Sequence, residues 1–137
     1  MVWKREALAR LEVIVDSYLS VNAPVQLAIP RFLEQRHAFQ KQVLSRVRRN
    51  LAVLDHQLAE QEAVSRLRVE GGWCAVLRVP STRSDEEIAL ELLTSKGVYL
   101  HPGHFYDFPS DGFLVVSLIT HDVDFSLGMA NALPLLR

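Results

Sequence analysis

Val98–Thr120 reads VYLHPGHFYDFPSDGFLVVSLIT, and its interpretation organises the rest of the chain. Two apolar runs, Val98–His101 and Leu114–Ile119, are rich in residues that fit a pleated, half-buried surface, so both are expected strands. The intervening loop carries a histidine, aromatics and aspartates. Pro102-Gly103 and Pro109-Ser110-Asp111-Gly112 are turn chemistry, because proline fixes φ and glycine permits positive φ. Polar and aromatic groups are thereby displayed where two strands meet a loop, a common way to build a site.

Working outward, Gly97 is placed to end a helix in the left-handed conformation. That helix starts at a capping box, Ser84 to Glu87, and runs through Ile88, Leu92 and Leu93. Before it lies a strand, Trp73–Val79, closed by Pro80. After the opening stretch, a last helix is expected from about Asp122, burying Phe125, Met129 and Leu133. Gly71-Gly72 marks the upstream boundary of this half. Before it the pattern is helical. Phe39, Val43, Val47, Leu51, Leu54 and Leu58 step by three or four residues, which predicts one long helix from about Pro30 to Arg68. A short helix, Pro24–Ile29, and a first helix, Trp3–Leu19, precede it, separated by the break Ser20–Pro24. The expected fold is an α/β arrangement of the α+β sandwich type. Residues 1–68 form a helical segment, and residues 69–137 a small domain in which two helices cover a three-stranded sheet.

At 137 residues the chain fits about one domain with a real core. A net charge of −1 gives no general reason to expect nucleic acid or an anionic membrane. The basic cluster Arg46–Arg49 has no interleaved aromatics, so a solvated helix face is expected there rather than a phosphate site. No apolar run is long enough to span a bilayer. The start, MVWKREALARLEVIV, lacks a signal-peptide pattern, and the single cysteine, Cys74, fits a reducing compartment, so a cytoplasmic protein is expected.

The residues themselves specify little chemistry. His101, His104 and Asp107 are spaced three apart, but no second ligand cluster accompanies them, so no metal is expected. Cys74 sits in an apolar strand without a neighbouring base and is expected to be a buried structural thiol. Ser110-Asp111 with His104 lacks a nucleophile elbow. Thr94-Ser95-Lys96 lies in the last turn of a helix and is expected to be a solvated helix end.

Taken in order, several pieces resemble the C-terminal part of class I/II aminotransferases, fold-type-I enzymes dependent on pyridoxal phosphate. These are Arg10–Gln26 (RLEVIVDSYLSVNAPVQ), Arg46–Leu54 (RVRRNLAVL), Gly71-Gly72-Trp73 with its valine-rich strand, and the loop Val98–Pro109. The resemblance implies an enzyme that moves amino groups between amino acids and keto acids, with pyridoxal phosphate as electron sink. It matches Ser20, Asn22 and Pro24 to a loop at the dimer interface near the neighbouring active site. It matches Gly71 and Gly72 to the turn where the small domain approaches substrate. His101, Pro102, Gly103 and Phe105 match the loop that shapes the substrate pocket. The resemblance assigns no catalytic or cofactor-binding residue within these 137 positions. Lys4, Lys41 and Lys96 are the only lysines, and none has the strand-loop setting of the Schiff-base lysine. The chain alone is therefore expected to be inactive and to bind no cofactor. Val115 stands where the family carries the arginine that grips the substrate carboxylate. The rival expectation is a stand-alone interaction or dimerisation module derived from that fold. Either way a homo-oligomer is expected, through apolar helical surface left exposed.

Overall fold

The computed structural model describes residues 4–17 and 21–137. Two compact units divide the chain, Met1–Phe39 and Gln40–Arg137. The first contains α1, Arg5–Ser17, and the beginning of α2, Ala23–Leu58. Asn22 starts α2: its Oδ1 accepts a hydrogen bond from the Val25 amide at 3.0 Å, satisfying a donor that has no partner within the helix. This cap lies upstream of Pro30, so the expected short helix and long helix are one. Pro30 sits inside it, and its missing N–H cannot serve the carbonyl four residues earlier.

The second unit holds the rest of α2 and everything after it. Here the helical seam becomes a core: Val47, Asn50, Leu54 and Leu58 are buried, whereas Phe39, the first residue of the expected seam, belongs to the first unit and is exposed. The helix ends at Leu58, ten residues before the expected limit. The chain then turns back, and Ser65–Arg66 forms a strand, β1, where helix was expected. Arg66 fixes this reversal with a bidentate pair to Asp55 of α2, at 2.5 and 2.9 Å.

The remaining elements are β2 (Cys74–Arg78), α3 (Asp85–Lys96), β3 (His101–Pro102), a 3-10 turn (Gly103–Tyr106), β4 (Phe113–Ser117), α4 (Asp122–Ala132) and a closing 3-10 turn (Leu133–Leu135). The sheet therefore has four strands rather than three, in the order β1-β2-β4-β3, with every neighbouring pair antiparallel. β2 and β3 run parallel with β4 between them, a split β-α-β crossover through α3. The capping box at Ser84 and Glu87 is formed in both directions, and Gly97 caps α3 at φ 63°. The amide of Val98 then bonds back to Leu92, so Val98–Leu100 turn the chain and β3 begins only at His101.

Strand alternation gives the sheet two different faces. Ala75, Leu77, Leu114, Val116 and Leu118 lie in the core with Ile88 and Leu92 of α3, Phe125 and Met129 of α4, and Leu54 of α2. Each such large side chain contributes about 1.5–3 kcal/mol of burial. Polar ties supplement the packing. Asn50, fully buried, donates to the carbonyls of Leu118 and Thr120 at 2.9 and 2.8 Å. Arg49 meets Asp122 at 2.8 Å, with Arg46 at 3.7 Å, so part of the basic cluster pins the start of α4 rather than only facing solvent.

Candidate functional site

The other sheet face carries Cys74, Val76 and Arg78 of β2 and Phe113, Val115 and Ser117 of β4. Register aligns His101, Val115 and Val76 in one row across three strands. A pocket of about 170 Å³ opens above this row. Val115, buried, is part of its floor with Cys74 and Ser117, and the aromatic side chains of Trp73, Tyr99, His101 and Tyr106 complete the lining. His101 Nδ1 and the Tyr106 hydroxyl are 2.7 Å apart, and Tyr99 packs on the imidazole at a ring distance of 4.9 Å. No carboxylate, lysine or arginine lines this pocket. Burial pushes the Cys74 thiol pKa up, which keeps it neutral and weakly nucleophilic.

One buried carboxylate holds the loop that brings Tyr106 to His101. Asp85, the first residue of α3, is 1% exposed. Its Oδ1 accepts from the amide of Gly112 at 2.7 Å and from that of Phe113 at 3.2 Å. Its Oδ2 accepts from Gly103 at 3.3 Å and again from Phe113 at 3.2 Å. In return the Asp85 amide donates to Asp111 Oδ1 at 3.1 Å. Both ends of the loop are thus tied to one helix N-terminus, where negative charge is favoured. Gly103 has no room for a side chain: a Cβ there would lie 2.9 Å from the Phe113 carbonyl oxygen and 3.0 Å from Asp85 Oδ2. At the tip, Asp107 adopts φ 59° and closes the 3-10 turn by donating its amide to Gly103 and His104.

Of the pocket and interface candidates taken from the resemblance, His101 lines the pocket, as do Cys74 and Val115, which the sequence marks on other grounds. Pro102 and Gly103 are buried beneath the loop and position it. Phe105 is exposed, edge-on to His104. Gly71 and Gly72 form an exposed bend, Gly72 with φ 76°, that leads directly into Trp73 of the pocket wall. Asn22 and Pro24 belong to the N-terminal unit, where the first caps α2 and the second occupies its first turn. Ser20 lies outside the described residues. Ser110 and His104 make no hydrogen bond with each other, and Asp111 is used in the Asp85 clasp. Thr94 and Ser95 return their hydroxyls to backbone carbonyls of α3, as a helix end does. Cys74 is half-buried rather than buried. Among the described residues no group of three potential ligands comes together to hold a metal.

Tyr99, Tyr106 and Asp85 carry no motif that marks them as site residues in the sequence, and Trp73 stands out there only beside Gly71-Gly72. Asp85 left one readable trace, an acid directly after a capping serine, but its partners are 18 to 28 residues away. A second groove, about 230 Å³, lies between Val98–Leu100 and α4, and contains none of the candidate residues.

No protein-family model matches the sequence, and no curated protein matches it significantly. Solved structures do match. A PLP-dependent aminotransferase from Streptococcus suis superimposes with a TM-score of 0.84 at 20% identity, over 98% of this chain and 36% of that one. An aspartate aminotransferase mutant from Thermus thermophilus gives 0.73 at 22% identity, over 91% and 34%. YbdL from Escherichia coli, described with a methionine aminotransferase function, gives 0.71 at 20%, over 90% and 33%. The chain therefore spans about a third of the length of each of these enzymes. Among the described residues no helix is long and apolar enough to cross a membrane. Over nearly its whole length, this chain has the fold of a segment of the fold-type-I, pyridoxal-phosphate-dependent aminotransferases.

Proposed function

We propose that these 137 residues are the C-terminal, small-domain portion of an aminotransferase-like enzyme, and that alone they do not transaminate. The match over 98% of the chain to only 36% of an aminotransferase carries this reading. In the intact enzyme, the segment would close one side of a substrate site whose cofactor is held elsewhere. The residues present do not fit pyridoxal phosphate. Lys4, Lys41 and Lys96 are all exposed, and neither pocket described above contains a lysine. No cofactor step is therefore assigned to them.

The test is to isolate the native product with an antibody raised to this chain, reduce it with borohydride, and map any pyridoxyl-lysine by mass spectrometry. A longer polypeptide labelled at a lysine outside these 137 residues is expected. A native product ending at these residues, or one labelled at Lys4, Lys41 or Lys96, refutes the reading.

One observation favours the rival role as an association module. α1 has no buried residue, and Leu8, Ile14, Leu27 and Phe32 are more than half exposed. Such surface seeks a cover, whether the remainder of an enzyme or a second copy. Sedimentation equilibrium of the purified chain, with and without Leu27→Glu and Phe32→Glu, measures the second possibility directly.

A further inference from the structure

We propose that the pocket over Val115 binds an uncharged aromatic ring that carries one hydrogen-bond donor, such as a phenol, and disfavours a carboxylate. Three observations carry this. The first is size. About 170 Å³ is close to the roughly 150 Å³ apolar cavity that accepts benzene, so one ring fills it. The second is lining. Trp73 and Tyr99 are each more than half exposed and offer aromatic surface beside the buried Val115 floor. A ring entering here covers apolar faces now in water and meets aromatic edges in favourable geometry. The third is polarity. The Tyr106 hydroxyl lies 2.7 Å from His101 Nδ1. When it donates to that nitrogen, its oxygen keeps free lone pairs to accept from a ligand.

The same lining disfavours an anion. No arginine or lysine among the described residues lines the pocket, and a carboxylate seated on Val115 would lose hydration without a compensating charge. Arg78 shares the sheet face but lies toward its other end, over the Phe113 ring at 5.8 Å. The proposal uses only side chains of this chain, so it stands or falls independently of the parentage proposed above. In a longer enzyme, the group seated here would be the aryl end of a substrate.

The test is a titration of the purified 137-residue chain, followed by NMR at the Val115 methyls and the Trp73 indole. 4-Methylphenol is expected to shift both signals saturably in the millimolar range. 4-Hydroxyphenylacetate is expected to bind at least tenfold more weakly, and Val115→Arg to reverse that order. 4-Methylanisole, the same ring without the donor, is expected to bind several-fold more weakly than 4-methylphenol. Tyr106→Phe, which alters the rim and spares the floor, should abolish that difference, and it keeps the test decisive if Val115→Arg does not fold. Absence of saturable shifts, or equal binding of the carboxylate by the unmodified chain, overturns the proposal.

Discussion

Replacing Asp85 by alanine tests how the pocket loop is held. The carboxylate accepts from three amides, and two of them, at Gly103 and Gly112, belong to buried residues. A buried donor left without a partner costs about 1–3 kcal/mol, and a hydrogen bond to a charged acceptor is at the stronger end. Two orphaned amides plus a partly exposed third therefore imply a loss of about 3–5 kcal/mol for Asp85→Ala. Against a typical domain stability of about 5–15 kcal/mol, that is a large fraction. Asp85→Asn keeps one acceptor oxygen for Gly112 and Phe113 but turns an NH2 group toward the Gly103 amide, so an intermediate loss is expected. Urea unfolding followed by circular dichroism gives the totals. Hydrogen exchange gives the location: the Gly103 amide should lose protection in Asp85→Asn before the amides of β2 do. A loss below about 1 kcal/mol for Asp85→Ala, or unchanged protection at Gly103 in Asp85→Asn, would refute the clasp.

Three further outcomes are expected. Asn50→Asp should destabilise more than Asn50→Leu, because it presents an acceptor to the Leu118 and Thr120 carbonyls. Leucine leaves them merely unpaired, at about 1–3 kcal/mol, and chemical denaturation of both variants ranks them. The hydrogen bond from Arg66 holds the Asp55 carboxyl below its ordinary value, burial opposes this, and the charge of Arg66 adds to it. The unfolded chain thus binds the proton first, and the pair's contribution is complete above about pH 5 and fades below about pH 4. The pair is partly exposed, so the stability gap between the parent and Asp55→Asn should stay below about 1 kcal/mol and close on acidification. Cys74, with its thiol pKa raised by burial, should be alkylated by iodoacetamide more slowly than free cysteine at pH 8; equal rates would show the strand end to be open.

The parts legible in the sequence are those whose signals are local. Ser84, Glu87 and Gly97 announce the two ends of α3 within a few residues of one another, and the structure uses all three as expected. Val47, Leu54 and Leu58 repeat at helical spacing and are buried. What escaped depends on distant partners. β1 is two residues long and exists because Arg66 finds Asp55 and the backbone finds β2. Pro30 looks like a helix start until Asn22 is seen capping the same helix farther upstream. The site divides in the same way. Val115 and His101 stand out individually, but only the register of β3 on β4 makes them neighbours, and only the folded loop returns Tyr106 to His101.

The sheet's two borders bear on how this chain meets other molecules. β1 and β3 are both edge strands, each two residues long, and β3 contains Pro102, which has no N–H to offer. Long, flat, unpaired edges are templates for fibrils and for strand-by-strand recruitment of other chains, and short or proline-bearing edges blunt that hazard. The longer strands, β2 and β4, pair with each other along their whole length, and each has a second partner strand on its other side. Self-association of this chain should therefore build no continuous β-structure. Concentrated solutions of the chain should remain negative to thioflavin dyes, and any association should reverse on dilution.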